Sequence, residues 1–127
     1  MHYVAVRGNG DLAGQPMERR TVGGDDRGSD REMVWACSTY SGALWWARAR
    51  FQQYGGGSIV HIYEAQLDEA TVEQDANYDR MPSSVMAASG RFGRLMATFE
   101  SAEAVDTALA TRSGEDSFVD GALDTHC

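Results

Sequence analysis

The chain has 127 residues, of which 43% are apolar and 24% charged, which is enough apolar material for one hydrophobic core and too much for a disordered chain. A formal net charge of −8 argues against a broad nucleic-acid surface, because such surfaces concentrate positive charge; a local basic spot could still hold one small anion. The apolar runs are too short to span a bilayer, and no basic segment followed by an apolar stretch opens the chain, so a cytoplasmic protein without a membrane partner is expected.

Residues 2–7 alternate and predict a short strand with Val4 and Val6 facing the core. It ends at Arg7-Gly8-Asn9-Gly10, where glycine permits positive φ. Residues 8–32 hold many charges and few apolar groups, so they predict a long irregular loop, mobile or acting as a lid, with Met17 and Val22 as anchors.

Residues 32–38 read as the next strand, with Trp35 and Cys37 on one side and Val34 and Ala36 on the other. Ser38, Thr39 and Ser41 are all candidate N-caps for a helix over 41–54. Its core stripe is Ala43, Leu44, Ala47 and Phe51, while Arg48, Gln52 and Gln53 face solvent. Trp45 and Trp46 are adjacent and so point about 100° apart, which brings at least one to the core or to a pocket wall. Gly55-Gly56-Gly57 stops this helix.

Residues 58–67 are rich in β-branched and aromatic side chains and predict a central strand. Ile59, His61, Tyr63 and Ala65 share one face; Val60, Ile62 and Glu64 share the other. The acidic stretch 68–79 predicts a helical turn and then loop, anchored by Val72, and Arg80-Met81-Pro82 interrupts regular structure. Residues 83–88 fit either a short helix capped by Ser83 or an extended piece. Residues 90–99 read as a strand, and 102–110 as a short helix capped by Ser101 with Ala102, Val105 and Leu109 inward. From 112 onward the chain is a polar tail, with Phe118, Val119 and Leu123 as docking points. The expected architecture is a single α+β domain over 1–127 with its core in 2–111, a mixed or antiparallel sheet and one main helix.

Cys37 and Cys127 are too far apart for a zinc pattern, and His2, His61 and His126 are scattered, so no metal is expected. Cys37 reads as a small core residue; a Cys37–Cys127 bridge is compatible with the sequence without being implied by it. Arg7-Gly8-Asn9-Gly10 lacks the third glycine and the helix of a dinucleotide fingerprint, and no serine or cysteine nucleophile motif is present.

One ordered set carries more information. Arg7 ends the first strand. The run from Val34-Trp35 to Thr39 leads into Ala43-Leu44-Trp45-Trp46-Ala47. Val60-His61-Ile62-Tyr63-Glu64 is followed by Asp75-Ala76-Asn77 and then Pro82-Ser83-Ser84. In order and spacing, over residues 3–99, this set resembles small mono-ADP-ribosyltransferases, in particular the rifamycin ADP-ribosyltransferase family. That resemblance implies two small sheets clasping NAD, the substrate, in a cleft. Arg7, with Gly8 beside it, would hold ribose and diphosphate, a role suited to a planar, permanently charged donor. Trp35 or Tyr40 would stack on nicotinamide, and Trp45 would line the pocket. Ser38 or Thr39 would bond the ribose or support Arg7. Asp75, acting with Arg7 and Tyr40, would stabilise positive charge as nicotinamide leaves, and an unknown protein or small-molecule acceptor would take the ADP-ribose. The chain departs from the His-Tyr-Asp set of those enzymes by its Arg7, which is closer to an Arg-Ser-Glu class. Glu100-Ser101-Ala102-Glu103 does not have that class's Glu-x-Glu spacing. Glu64, Glu73 and Asp79 are alternatives to Asp75. Two other readings fit the same residues: an acidic, non-enzymatic protein-binding domain, and an NAD glycohydrolase in which water replaces the acceptor.

Overall fold

A computed structural model describes residues 1–8, 10–21, 32–54, 58–75 and 83–111. Asn9, Val22, the Gly55-Gly56-Gly57 stop, Asn77, Asp79, the Arg80-Met81-Pro82 break, Cys127 and the rest of the tail lie outside the described residues.

The chain forms strands β1 (His2–Arg7), β2 (Arg20–Thr21) and β3 (Glu32–Cys37), helix α1 (Tyr40–Tyr54) and strand β4 (Val60–Leu67). A 3-10 turn (Glu69–Thr71) leads to β5 (Glu73–Gln74), followed by β6 (Ser84–Ala87), β7 (Gly90–Phe99) and helix α2 (Ala102–Thr111). The fold is α+β with an antiparallel sheet in the order β5-β6-β3-β1-β4-β7, and β2 pairs with β3 as well. Where two small sheets are expected from the sequence, hydrogen bonding joins the described strands into one. The joint is narrow: β1 and β4 pair from His2 to Arg7, but β1 meets β3 at one Cα pair, Tyr3 with Cys37. The sheet therefore falls into two parts, β5-β6-β3 with β2 on β3 and β1-β4-β7, meeting at a short seam.

Both faces of the sheet are covered. On one, Ala5, Cys37, Val60 and Ile62 pack against Ala43, Leu44, Ala47 and Phe51 of α1 and Val105 and Leu109 of α2. The stripe expected on α1 is the stripe that is buried. On the other face, Val34, Ala36, Tyr63, Ala65 and Leu67 cluster with Phe92 and Met17, with Val4 and Val6 packed against them. Val4 and Val6 do face a core, but so does Ala5 on the opposite side, and Ala5 is the most buried residue of β1. Sequence alternation alone does not reveal that the helix side also needs β1.

Several expectations about the connections change. Part of the long loop is regular: β2 lies in it, Pro16 bridges to Arg91, and Met17 donates its amide to the Gly90 carbonyl at 2.8 Å. The amide of Leu12 donates to the Tyr63 hydroxyl, which in turn donates to the Gly10 carbonyl. The acidic stretch after β4 opens with a 3-10 turn capped by Asp68 and continues into β5 instead of loop. Residues 83–88 resolve to strand β6, and Ser83 caps no helix. Register shifts against β4 break the alternation of β7, so Met96 and Ala97 both pack on the helix side. Ser101 caps α2 as expected, accepting the Ala104 amide at 3.2 Å. No described helix is long and apolar enough to cross a membrane.

Candidate functional site

The polar groups of interest gather where β3 hands over to α1. Of the three candidate caps, Thr39 is the one used: its hydroxyl accepts the Gly42 amide at 3.0 Å, satisfying a donor that the first helical turn leaves without a partner. The same hydroxyl donates to the Ser83 hydroxyl at 3.0 Å. The Ser38 amide donates to the Ser83 carbonyl at 2.8 Å, so Ser83 is tied to the turn twice. Ser83 is buried and has φ +66°, a left-handed conformation that costs a non-glycine residue about 1–2 kcal/mol and persists where neighbours enforce it.

Next along, Ser84 pairs with Cys37 across the sheet, and its hydroxyl donates to Asp75 Oδ2 at 2.9 Å in the interior. The Asp75 amide donates back to the Ser84 carbonyl at 3.1 Å. Asp75 is only 8% exposed, so a carboxylate from an acidic, otherwise solvated stretch has been drawn inside and given hydrogen-bond partners. Cys37 lies within reach of its charge. Burial first, and then the negative charge of Asp75, push the thiol's pKa well above its ordinary value, so Cys37 is a neutral, apolar wall.

Tyr40 opens α1 on the same turn, and its ring meets Tyr3 edge-on at 5.6 Å. Because Tyr3 is the β1 partner of Cys37, Tyr40 stands over the seam between the two halves of the sheet. Folding therefore brings Ser38, Thr39, Tyr40 and Asp75 to one end of the domain. Trp35 lies two residues back along β3 on the same side as Cys37, half-buried against Met33 and Met86.

Arg7 and Gly8 are elsewhere. Arg7 pairs with Val60 at the opposite end of β1, four residues from Tyr3, or roughly 13 Å along the strand. Gly8, at φ +138°, donates its amide to the Ile59 carbonyl. Arg7 thus lies away from the Ser38-Thr39 turn, because the seam is fixed at the His2 end of β1. Trp45 stacks edge-on against Trp46 at 5.4 Å on α1, with its indole nitrogen buried and without a hydrogen-bond partner. Of the alternative carboxylates, Glu64 pairs with Arg94 at 3.0 Å and Glu73 is exposed on β5.

Ser83 and Ser84 are the residues that sequence reasoning did not place in the site. The signal available was the paired serines after Pro82, within the ordered set but without an assigned role.

Gly42 is required by the closeness of these elements. A Cβ there would run into the Ser83 hydroxyl and stand 3.1 Å from Thr39 Oγ1 and 3.2 Å from Cys37 Cβ. Alanine gains about 1 kcal/mol of helix propensity, but overpacking a tight site costs about 1–3 kcal/mol. The Thr39–Ser83 bond is also disturbed. We expect Gly42→Ala to lower stability by about 1 kcal/mol net, read as a lower urea midpoint at unchanged m-value; an increase would show that Ser83 relaxes freely.

Comparison of the chain with protein-family models, with curated proteins and with solved structures finds no match.

Proposed function

We propose that this chain is an NAD-dependent mono-ADP-ribosyltransferase that passes ADP-ribose from NAD to a protein or small-molecule acceptor. The observation that carries the reading is the placement of Asp75: a buried carboxylate, fixed by Ser84, at the same turn as Ser38, Thr39 and Tyr40 and beside the seam of the sheet. The resemblance to the ADP-ribosyltransferases implies a cleft between two half-sheets, and the pairing of β1 with β3 is limited to one residue pair.

In this reading the bond from ribose to nicotinamide breaks and a bond from ribose to the acceptor forms. Asp75 stabilises the positive charge that develops on the ribose, and does so in a low-dielectric site where a fixed charge acts strongly. Tyr40 and Trp35 supply aromatic faces for the nicotinamide. Thr39 has its hydroxyl committed to the cap and to Ser83, so the exposed Ser38 is the better ribose contact. Arg7 and Gly8, at the far end of β1, would meet an extended dinucleotide away from its nicotinamide, with the planar cationic Arg7 reaching the diphosphate from the adenosine side. Trp45 lies little more than one turn along α1 from Tyr40 and is the first of the proposed contacts to test by omission.

The protein is to be incubated with NAD and nicotinamide release followed, with a thermal shift in parallel. Release together with stabilisation by NAD is expected. The absence of both release and stabilisation would sink the reading. NAD labelled in the adenosine part then separates transfer to an acceptor from hydrolysis by water.

A further inference from the structure

A carboxylate can stabilise a developing charge only if it is held where that charge appears, and the chain devotes an unusual set of contacts to holding Asp75. Ser84 is 1% exposed and sits in the middle of the domain's polar cluster. Its hydroxyl reaches Asp75 Oδ2, and its carbonyl accepts the Asp75 amide, so the side chain and backbone of the carboxylate are fixed by one residue. The strand pairing of Gln74 with Val85 continues the same register on the next residues, which prevents Asp75 from sliding along β6. Ser84 is in turn aimed from behind. Ser83, just before it, takes a left-handed turn and is locked there by the Ser38 amide and the Thr39 hydroxyl, and the pairing of Ser84 with Cys37 puts Ser84 on the helix side. Cys37, paired with Ser84 across the strands, lines the same interior with a buried neutral thiol.

We propose that Ser84 is the positioning residue for Asp75: its hydroxyl fixes the carboxylate in the orientation that the transfer reaction uses, without touching NAD itself. This rests on the reading of Asp75 as the charge-stabilising group in NAD cleavage. A hydrogen bond of this kind sets direction as well as energy, and a displacement of about 1 Å in a reacting group can cost about 100-fold in rate. The requirement is for a short donor at position 84, so an apolar residue of similar size removes the orientation while leaving the strand.

The test is a double-mutant cycle on the full chain, read by release of labelled nicotinamide. Ser84→Ala is expected to lower kcat by about 10- to 100-fold with KM for NAD little changed, at a melting temperature that shows a folded protein. In an Asp75→Asn background the same Ser84→Ala change should add almost nothing, because there is no carboxylate left to aim. A purely structural role for Ser84 predicts equal losses in both backgrounds, and that result would overturn the inference. So would an Ser84→Ala protein with the kcat of wild type. If wild type itself releases no nicotinamide, the function reading fails and this inference with it; if wild type is active and the cycle is additive, only the role of Ser84 fails.

Discussion

Replacing Asp75 by asparagine is expected to lower the rate of nicotinamide release by roughly 100- to 1,000-fold, the scale seen when one preorganised electrostatic contact to a developing charge is lost. Asparagine has nearly the same shape, and its side-chain oxygen can still accept from the Ser84 hydroxyl, so the interior geometry should survive. What disappears is the negative charge. An interaction made mainly as nicotinamide departs should show its loss in kcat, with a smaller change in KM for NAD. Steady-state release rates and an NAD-dependent melting shift on the same sample check both parts. A variant that binds NAD and turns over like wild type would remove Asp75 from the chemistry. Glu73 and Asp79 would then be the carboxylates to examine next. Arg7→Ala makes an informative companion. If Arg7 holds the diphosphate from the far end of β1, its loss should fall mainly on KM.

The second large effect is on stability. Leu44 is fully buried on α1 and belongs to the cluster that joins that helix to Val60, Ile62, Val105 and Leu109. Leu44→Ala should cost about 2–5 kcal/mol, combining the lost transfer free energy with the cavity left behind. That is a large share of the 5–15 kcal/mol that holds an ordinary domain together. A drop on the order of 10 °C in melting temperature is expected. Because α1 also carries Thr39 and Tyr40 at its first turn, the loss should reach the site as well. Calorimetry gives the first quantity and NAD-dependent stabilisation the second. A loss below 1 kcal/mol would mean that the cluster collapses into the space and that the two layers are less tightly packed than their burial indicates.

Much of the scaffold was legible in the sequence. Ala43, Leu44, Ala47 and Phe51 recur at helical spacing, and all are buried on α1. The β-branched run before Leu67 is the central strand β4, paired on both sides. Met17 anchors the long loop and Ser101 caps α2. These features are set by periodicity, propensity and capping, which act over a few residues. The ambiguous piece at 83–88 became a strand because β3 and β5 pair with it on either side, and β3 is distant in sequence, with α1 and β4 between. The alternation of β7 failed for a similar reason: its shifted register against β4 is a property of the pair.

The site divides in the same way. The resemblance to the ADP-ribosyltransferases pointed to Ser38, Thr39, Tyr40 and Asp75, while residue types by themselves placed a cap at the start of α1. Only the tertiary structure decided which of them meet. Asp75 lies in an acidic stretch that reads as solvated, and it is buried because β6 returns beside β3 and presents Ser84 to it. Arg7 belongs to the same ordered set, yet the single Tyr3–Cys37 pair puts it at the other end of its strand. Local signals fix what a segment becomes; which side chains face one another across a seam depends on strand register, and register is settled by long-range pairing and by which faces the core must cover.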